Sequence, residues 1–221
     1  MRNKTSQSGF TLIELIAVMV ILGILAAVII PRITTLTSGA YESNVRSMYG
    51  VIKNEVQAQS IKAAMSGGSG GHREQFPMVL NSDGASFYLD KWVGDYDADM
   101  WEQPAAIAGG GAALANTNKV AVGYATPDLL IFNYMPHGVA STDVTDKYHI
   151  YYMPVTTLWG EQNGIDIDGY IMFATRDLNQ NGVGDARGAI DDTDGTFTPA
   201  ANGDEFITDM TFITERAVDG I

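Results

Sequence analysis

The stretch Ser8-Gly9-Phe10-Thr11-Leu12-Ile13-Glu14-Leu15 opens an apolar run that continues to Ile30. Between Phe10 and Ile30 there are 21 residues, and Glu14 is the only charged one. At about 1.5 Å of rise per residue, such a helix crosses the hydrocarbon core of a bilayer, which is about 30 Å thick. An isolated carboxylate at that depth costs roughly 2.5 kcal/mol or more. The segment therefore predicts a membrane-length helix whose single acid needs a partner.

A short polar leader, residues 1–9, precedes this helix. An ordinary secretory signal would instead show a shorter apolar stretch with a small-x-small cleavage site after it. Cleavage after Gly9 would remove only the leader and keep the helix. Arg2 and Lys4 favour a cytoplasmic leader, although arginines also follow the span, so charge orients the segment only weakly.

The block Gly9-Phe10-Thr11-Leu12-Ile13-Glu14, followed by Gly23 and Pro31, resembles the signal of type IV pilins and pseudopilins. The likeness is close over residues 8–35 and looser to about residue 65. It implies that prepilin peptidase cleaves between Gly9 and Phe10 and methylates the new Phe10 amine. It also implies that Glu14 pairs with the Phe10 amine of a neighbouring subunit. A plain membrane anchor with Glu14 near the interface is the alternative.

Gly23 and Pro31 weaken the helix between them, because proline removes a backbone hydrogen bond and glycine raises the entropy cost of helix formation. A mild kink tolerated by a membrane helix is one interpretation. The family resemblance favours another, in which the segment unwinds when the filament packs or stretches.

An amphipathic pattern follows the apolar run. At intervals of three or four residues, this pattern contains Tyr41, Val45, Met48, Ile52, Val56, Gln59 and Ala63. They predict a continuation of the first helix with one face under a globular domain. The glycine-rich run at 66–71 ends this helix. Residues 72–118 lack a clean period and are interpreted as a connecting region with short elements.

In the rest of the chain, runs rich in β-branched and aromatic residues predict strands, and turn residues separate them. The predicted strands are Lys119–Ala125, Leu129–Met135, Lys147–Met153, Ile165–Thr175 and Phe206–Ile213. We therefore expect an α+β, pilin-like fold, with a long N-terminal helix packed on a four- to five-stranded antiparallel sheet. The expected organisation is a leader at 1–9, a transmembrane and filament-core helix at 10–36, and a helix continuation with a globular head at 37–221.

The net charge and the cysteine content of the chain limit the kinds of partner that it can bind. The formal net charge is −13, so the surface repels phosphate backbones and direct nucleic acid binding is not expected. A divalent cation is a better match. The chain has no cysteine, which excludes disulfides and thiolate metal sites.

One loop carries a calcium-binding pattern. Asp177, Asn179 and Asn181 place oxygen ligands at its first, third and fifth positions, and Gly182 follows at the sixth. The carbonyl of Val183 and the carboxylate of Asp185 would add two more. The twelfth position departs from the EF-hand pattern, because Gly188 stands where a bidentate acid is usual. The acids that remain to complete the shell are Asp191, Asp192 and Asp194.

Hard oxygen ligands favour calcium over zinc or copper, and related pseudopilins use calcium to hold their C-terminal loops. A metal-free surface turn rich in Asp, Asn and Gly is the alternative. A second acidic cluster, Asp95, Asp97 and Asp99, is interpreted mainly as solvated surface.

No catalytic set emerges, and we expect no enzyme activity. His72, His137 and His149 are widely spaced, and each is interpreted as a packed or surface histidine. No nucleophile-elbow or metalloprotease spacing is present.

The resemblance implies a subunit of a helical homo-oligomeric filament. Its precursor would lie in the bacterial inner membrane before pilus or secretion machinery assembles it. One reading is a surface type IV pilus serving adhesion, motility or DNA uptake. A second is the periplasmic pseudopilus of a type II secretion system, and a remote third is a membrane-tethered enzyme or receptor.

Overall fold

The computed structural model describes residues 11–66, 76–107, 128–143, 145–155 and 169–177, and the backbone of strands at 188–190, 197–199, 205–206 and 211–214. The chain divides into two compact units, Met1–Ala40 and Tyr41–Ile221.

The first helix, α1, runs from Leu12 to Ser66. It contains the membrane-length segment and the amphipathic segment predicted from the sequence. Helix α2 spans Phe87–Trp92. The strands are β1 Trp101–Glu102, β2 Leu130–Tyr134, β3 Tyr148–Val155, β4 Gly169–Arg176, β5 Gly188–Ile190, β6 Phe197–Pro199, β7 Glu205–Phe206 and β8 Thr211–Thr214.

The main sheet is antiparallel, in the order β1-β2-β3-β4-β7, and β8 also pairs with β4. Strands β5 and β6 form a separate two-stranded ribbon. A long helix packed with an antiparallel sheet confirms the α+β, pilin-like arrangement. Within the predicted last strand, Phe206 belongs to β7 and residues 211–213 belong to β8, and both strands pair antiparallel with β4; residues 207–210 lie outside the described residues.

The C-terminal half of α1 buries one side against the sheet. Val45, Ile52 and Val56 are buried, as predicted. Tyr49 and Ser60 are buried as well, although the predicted stripe omitted them. Their polar groups are satisfied inside the domain, because the Tyr49 hydroxyl donates to the Met172 carbonyl at 3.2 Å and Ser60 Oγ donates to a carbonyl one turn earlier.

The sheet contributes an aromatic core. Side chains of β2, β3 and β4 that face α1 include Phe132, Tyr134, Tyr148 and Tyr152. The opposite side of β3 and β4 is buried too, and there the rings of Tyr151 and Phe173 stack with centroids 4.8 Å apart. Strands buried on both sides carry nearly continuous apolar runs, as the sequences of β3 and β4 do.

The connecting region contains α2 and β1. Tyr88 and Trp92 of α2 are buried in the core, and the Trp92 ring lies 5.2 Å from that of Tyr152. The Tyr88 hydroxyl donates to Asp83 Oδ2 at 2.5 Å and accepts the Leu80 N–H at 2.9 Å. Tyr88, Trp92 and Trp101 therefore act as local core, whereas Phe87 is 40% exposed. The strands predicted at 119–125 and 165–168 lie outside the described residues.

Candidate assembly surface at the helix N-terminus

The start of α1 is held by a reciprocal pair of side chains. The Thr11 N–H donates to Glu14 Oε2 at 2.8 Å, and the Thr11 hydroxyl donates to the same oxygen at 2.9 Å. In return, the Glu14 N–H donates to Thr11 Oγ1 at 3.4 Å. Thr11 stands immediately before the first helical residue and Glu14 is the third residue of α1, which is the geometry of a capping box.

This arrangement gives Glu14 a role that the sequence interpretation missed. The signal was readable, because Thr-x-x-Glu before an apolar run is a known start pattern for helices. The box holds the carboxylate at the positive end of the helix dipole, which favours a negative charge there. The box therefore holds the acid against the N–H of Thr11, the residue that directly follows Phe10 in the sequence. Gly9 and Phe10 themselves lie outside the described residues.

The N-terminal half of α1 exposes its apolar side chains on every side. The large exposed ones are Leu12, Ile13, Leu15, Ile16, Val18, Met19, Val20, Ile21, Leu22, Ile24, Leu25, Val28, Ile29, Ile30, Ile33 and Leu36. By length and composition this helix could cross a membrane, a property that it shares with signal sequences. An apolar surface of this extent requires lipid or protein to cover it.

Gly23 and Pro31 lie within α1, which is a continuous helix from Leu12 to Ser66. A Cβ atom added at Gly23 would meet nothing within 4 Å. Packing inside this chain therefore does not require a glycine at that position. The isolated chain keeps the helix through both residues, and unwinding on assembly stays a prediction.

Of the predicted calcium ligands, the structure describes Asp177 alone. It directly follows β4, its side chain is 1% exposed, and its N–H donates to the Lys147 carbonyl at 3.0 Å. The ligands outside the described residues are Asn179, Asn181, Val183, Asp185, Asp191, Asp192 and Asp194. Within the part of the chain that the structure describes, no three acidic or histidine side chains cluster around a common centre.

An ion pair is formed by the residue that precedes Asp177. The neighbouring Arg176 donates to Asp146 Oδ1 at 2.7 Å in a half-buried ion pair. Carboxylate oxygens are ligands that calcium prefers. The other predicted ligands lie outside the described residues, so calcium binding stays a prediction.

The second acidic cluster is surface, as expected. Asp95, Asp97 and Asp99 are exposed. Asp97 Oδ1 accepts the Asp99 N–H at 3.0 Å, and the Asp97 carbonyl accepts the Trp101 N–H at 2.8 Å. Asp97 thus forms the turn that leads into β1.

The two described histidines occupy different environments. His149 is buried in β3, and its Nδ1 lies 2.8 Å from Asn133 Oδ1. His137 lies on a loop with its Nε2 4.0 Å from Asp143 Oδ2. Hydrogen bonds from Thr145 are the main cause that lowers the pKa of Asp143, and His137 adds a smaller effect. These contacts are those of a packed and a surface histidine, and His72 lies outside the described residues.

Comparison with known proteins identifies the N-terminal segment. Residues 4–30 match the prokaryotic N-terminal methylation motif. The type IV narrow pilus major component PilA5 of Thermus thermophilus is 40% identical over 55 residues, which are 25% of this chain and 47% of that protein. The match therefore spans about half the length of that relative. No solved structure matches the chain.

Proposed function

We propose that this type IV prepilin-like protein is a structural subunit of a type IV pilus, cleaved between Gly9 and Phe10 and methylated at Phe10 before assembly. The observation that carries the proposal is the N-terminal design of α1. A methylation motif leads directly into a capped helix whose apolar side chains are exposed on all sides. Cleavage after Gly9 would create a new amine on Phe10, one residue before Thr11, the first residue of the capping box.

The mechanism is burial of helix surface. Before assembly, the bilayer covers the apolar half of α1. Within a fibre, the same half of neighbouring copies replaces the lipid, and the heads lie outside. The Glu14 carboxylate would meet the Phe10 amine of the adjacent copy, because a cation there offsets the cost of an acid at that depth.

The test combines imaging with mass spectrometry. Fibres sheared from cells should contain this protein beginning at a methylated Phe10. A Gly9→Glu variant should keep its leader and yield no fibres, whereas a matched Ser8→Glu variant should still be cleaved at the same bond. A mature protein that retains Met1 in cells with an active peptidase would contradict the proposal.

The second candidate is a pseudopilin of a type II secretion system. The calcium-loop pattern and the absence of cysteine favour it. The relative that matches is a pilus major component, which favours the surface pilus. Extracellular fibres whose length greatly exceeds the thickness of the cell envelope would support the pilus. If deletion of the protein abolishes protein secretion and no surface fibres are seen, the pseudopilin is supported.

A calcium ion held by the loop that begins at Asp177 is the proposed cofactor. Its support is the ligand spacing of the sequence and the buried carboxylate of Asp177 at the end of β4. Ligand binding to the folded state alone raises stability, so excess chelator should lower the melting temperature by several degrees. Asp185→Asn should remove the calcium response, and Asp97→Asn, which changes an exposed acid elsewhere, should keep it. An unchanged melting curve in excess chelator would contradict the proposed calcium site.

A further inference from the structure

We propose that an apolar patch on the head binds a partner protein whose contact surface presents apolar side chains flanked by lysine or arginine. The patch, here called the head patch, consists of Met78, Leu80, Phe87 and Ile107. All four residues belong to the compact unit Tyr41–Ile221. The inference concerns what the head binds, so it goes beyond assembly of the chain into a filament and does not depend on it.

The members of the head patch are open to water. Met78 and Leu80 are each 53% exposed, Ile107 is 48% exposed and Phe87 is 40% exposed. Outside α1, these four are the exposed large apolar side chains of the part of the chain that the structure describes. Val79 is buried between Met78 and Leu80, because alternate side chains of an extended segment point to opposite sides.

The hydroxyl of Tyr88 joins Leu80 to Phe87. The Leu80 N–H donates to this hydroxyl at 2.9 Å. The ring of Tyr88 also lies against that of Phe87, with centroids 5.1 Å apart. Leu80 and Phe87 are therefore neighbours across one buried tyrosine.

Backbone contacts bring Ile107 to the same place. Ile107 and Leu129 exchange two hydrogen bonds, of 2.8 and 3.0 Å. Asp128 precedes Leu129, and its carboxylate accepts the N–H of Asn81, the residue after Leu80, at 2.8 Å. The four side chains thus form one apolar surface rather than scattered single residues, and such a surface on a soluble domain indicates a contact site.

Acidic side chains border the head patch. The Asp83 N–H donates to the Leu80 carbonyl at 3.1 Å, which holds that carboxylate one turn from Leu80. Burial is the main cause that raises the pKa of Tyr88 to about 12, and the charges of Asp83 and Asp128 add to it, so both acids lie near one hydroxyl. Residues 76–107 as a whole carry six acidic side chains and one basic one, Lys91.

This border selects the chemistry of the partner. Negative charge repels phosphate backbones and anionic lipid surfaces, and a second copy of the head patch would bring the same charges. Lysine or arginine around an apolar centre complements both the border and the patch. The Phe87 ring also accommodates a cation, since Lys91 Nζ lies 5.3 Å from its centroid.

The first test identifies the preferred ligand chemistry. The full chain is placed in nanodiscs of zwitterionic phosphatidylcholine, and a random-peptide phage library is selected on them after depletion on empty nanodiscs. The enriched peptides should combine a large apolar residue with flanking lysine or arginine. Enrichment of acidic or uncharged peptides, or of none above the empty nanodiscs, would overturn the proposal.

The second test locates the binding site of the best enriched peptide, made synthetically. Leu80→Arg should weaken its binding by about tenfold or more, because the change removes an apolar anchor and adds a like charge. Ile61→Arg is the matched control, since Ile61 is an apolar residue of α1 with 52% exposure. It should leave the affinity within about twofold of wild type. Equal effects of the two substitutions would contradict binding at the head patch.

A third variant tests the charge alone. Asp128→Asn keeps an oxygen that accepts the Asn81 N–H and removes the negative charge, so binding should weaken by about threefold and depend less on salt. Asp97→Asn is the control, because Asp97 lies in the turn before β1, which pairs with the far end of β2 from Leu129. An affinity that Asp128→Asn leaves unchanged would overturn the role of the acidic border.

Fibre assembly separates this inference from the proposed function. Leu80→Arg should assemble as wild type does, since the head patch serves a different protein. A loss of fibres in this variant, with unchanged thermal melting, would assign the patch to contact between copies and overturn the proposal. If wild type forms no fibres while Leu80→Arg still abolishes peptide binding, the pilus function fails and the head patch stands.

Discussion

Residues 12–36 of α1 leave their large apolar side chains exposed, whereas residues 45–60 bury one side of the helix against a sheet. Both segments belong to one regular helix. The difference shows that the chain stabilises only its C-terminal half by itself. The N-terminal half depends on lipid or on other molecules, so assembly and folding can be altered separately by substitutions in the two halves.

The largest expected effect lies at the start of the N-terminal half. Glu14→Ala should abolish fibres, because it removes both the charge for the neighbouring amine and the acceptor of the capping box, which is worth about 1 kcal/mol. Glu14→Gln is the matched variant, since its amide oxygen can still accept from Thr11. Fibre counts by electron microscopy measure the outcome, and a fully assembling Gln variant would show that the capping box rather than the charge is needed.

Next in size is a core deletion in the C-terminal half. Ile52→Ala should lower the free energy of unfolding by about 2–5 kcal/mol, because it opens a cavity at a fully buried site. Ile16→Ala, at an exposed site, should change it by no more than about 0.5 kcal/mol. Urea unfolding in detergent, followed by tryptophan fluorescence, measures both, since all three tryptophans lie beyond residue 40. Equal losses would contradict the contrast between the halves.

A smaller effect concerns the hydrogen bonds of α2. Tyr88→Phe should cost about 1–2 kcal/mol at neutral pH, because the Leu80 N–H loses its acceptor and Asp83 loses a donor. Assembly should be unaffected. Thermal melting of the variant beside wild type measures the loss, and a drop in fibre yield without a drop in stability would speak against this separation.

The pH dependence of stability should also come from the head. Burial, with a smaller effect of Asp83, raises the pKa of Tyr88 to about 12, and burial raises the pKa of Tyr170 to about 12. Unfolded tyrosines ionise near pH 10.0, so the head keeps this stability below pH 10.0 and loses it as the pH rises toward about 12. Alkaline urea titrations of wild type and Tyr88→Phe measure it, and the variant should lose less over that window.

The smallest expected change is at the helix–sheet contact. Tyr49→Phe should cost about 1 kcal/mol, since the hydroxyl donates to a buried carbonyl of β4. The ring itself stays packed. A loss several times larger would mean that the hydroxyl orders more of the contact than this one hydrogen bond. The measurement is the same urea titration.

Much of this fold was readable from residue patterns. The apolar run and the period of the following segment predicted α1, and β-branched and aromatic runs predicted β2, β3 and β4. The buried positions at Tyr49 and Ser60 were missed, because a pattern of apolar residues ignores polar groups that find local partners. The burial of β3 on both of its sides, where Ile150, Tyr151 and Tyr152 are all buried, was not predicted from the sequence.

The candidate site was predicted less completely. Glu14 was identified from its isolation in an apolar run, but its bond to Thr11 was overlooked. The charge pairing with Phe10 involves a second molecule, and the calcium shell involves a loop whose closing acid several residues could supply. Neither follows from spacing alone, because spacing fixes which side chains converge only where the backbone path is known.

Strand β1 has just two residues, Trp101 and Glu102, and among the described residues an isolated bridge between Ile107 and Leu129 continues this border of the sheet. Very short edge strands discourage pairing with a strand from another chain. In its described part, this border is therefore poorly suited to strand exchange between heads, and its side chains can vary without creating a new β-pairing contact.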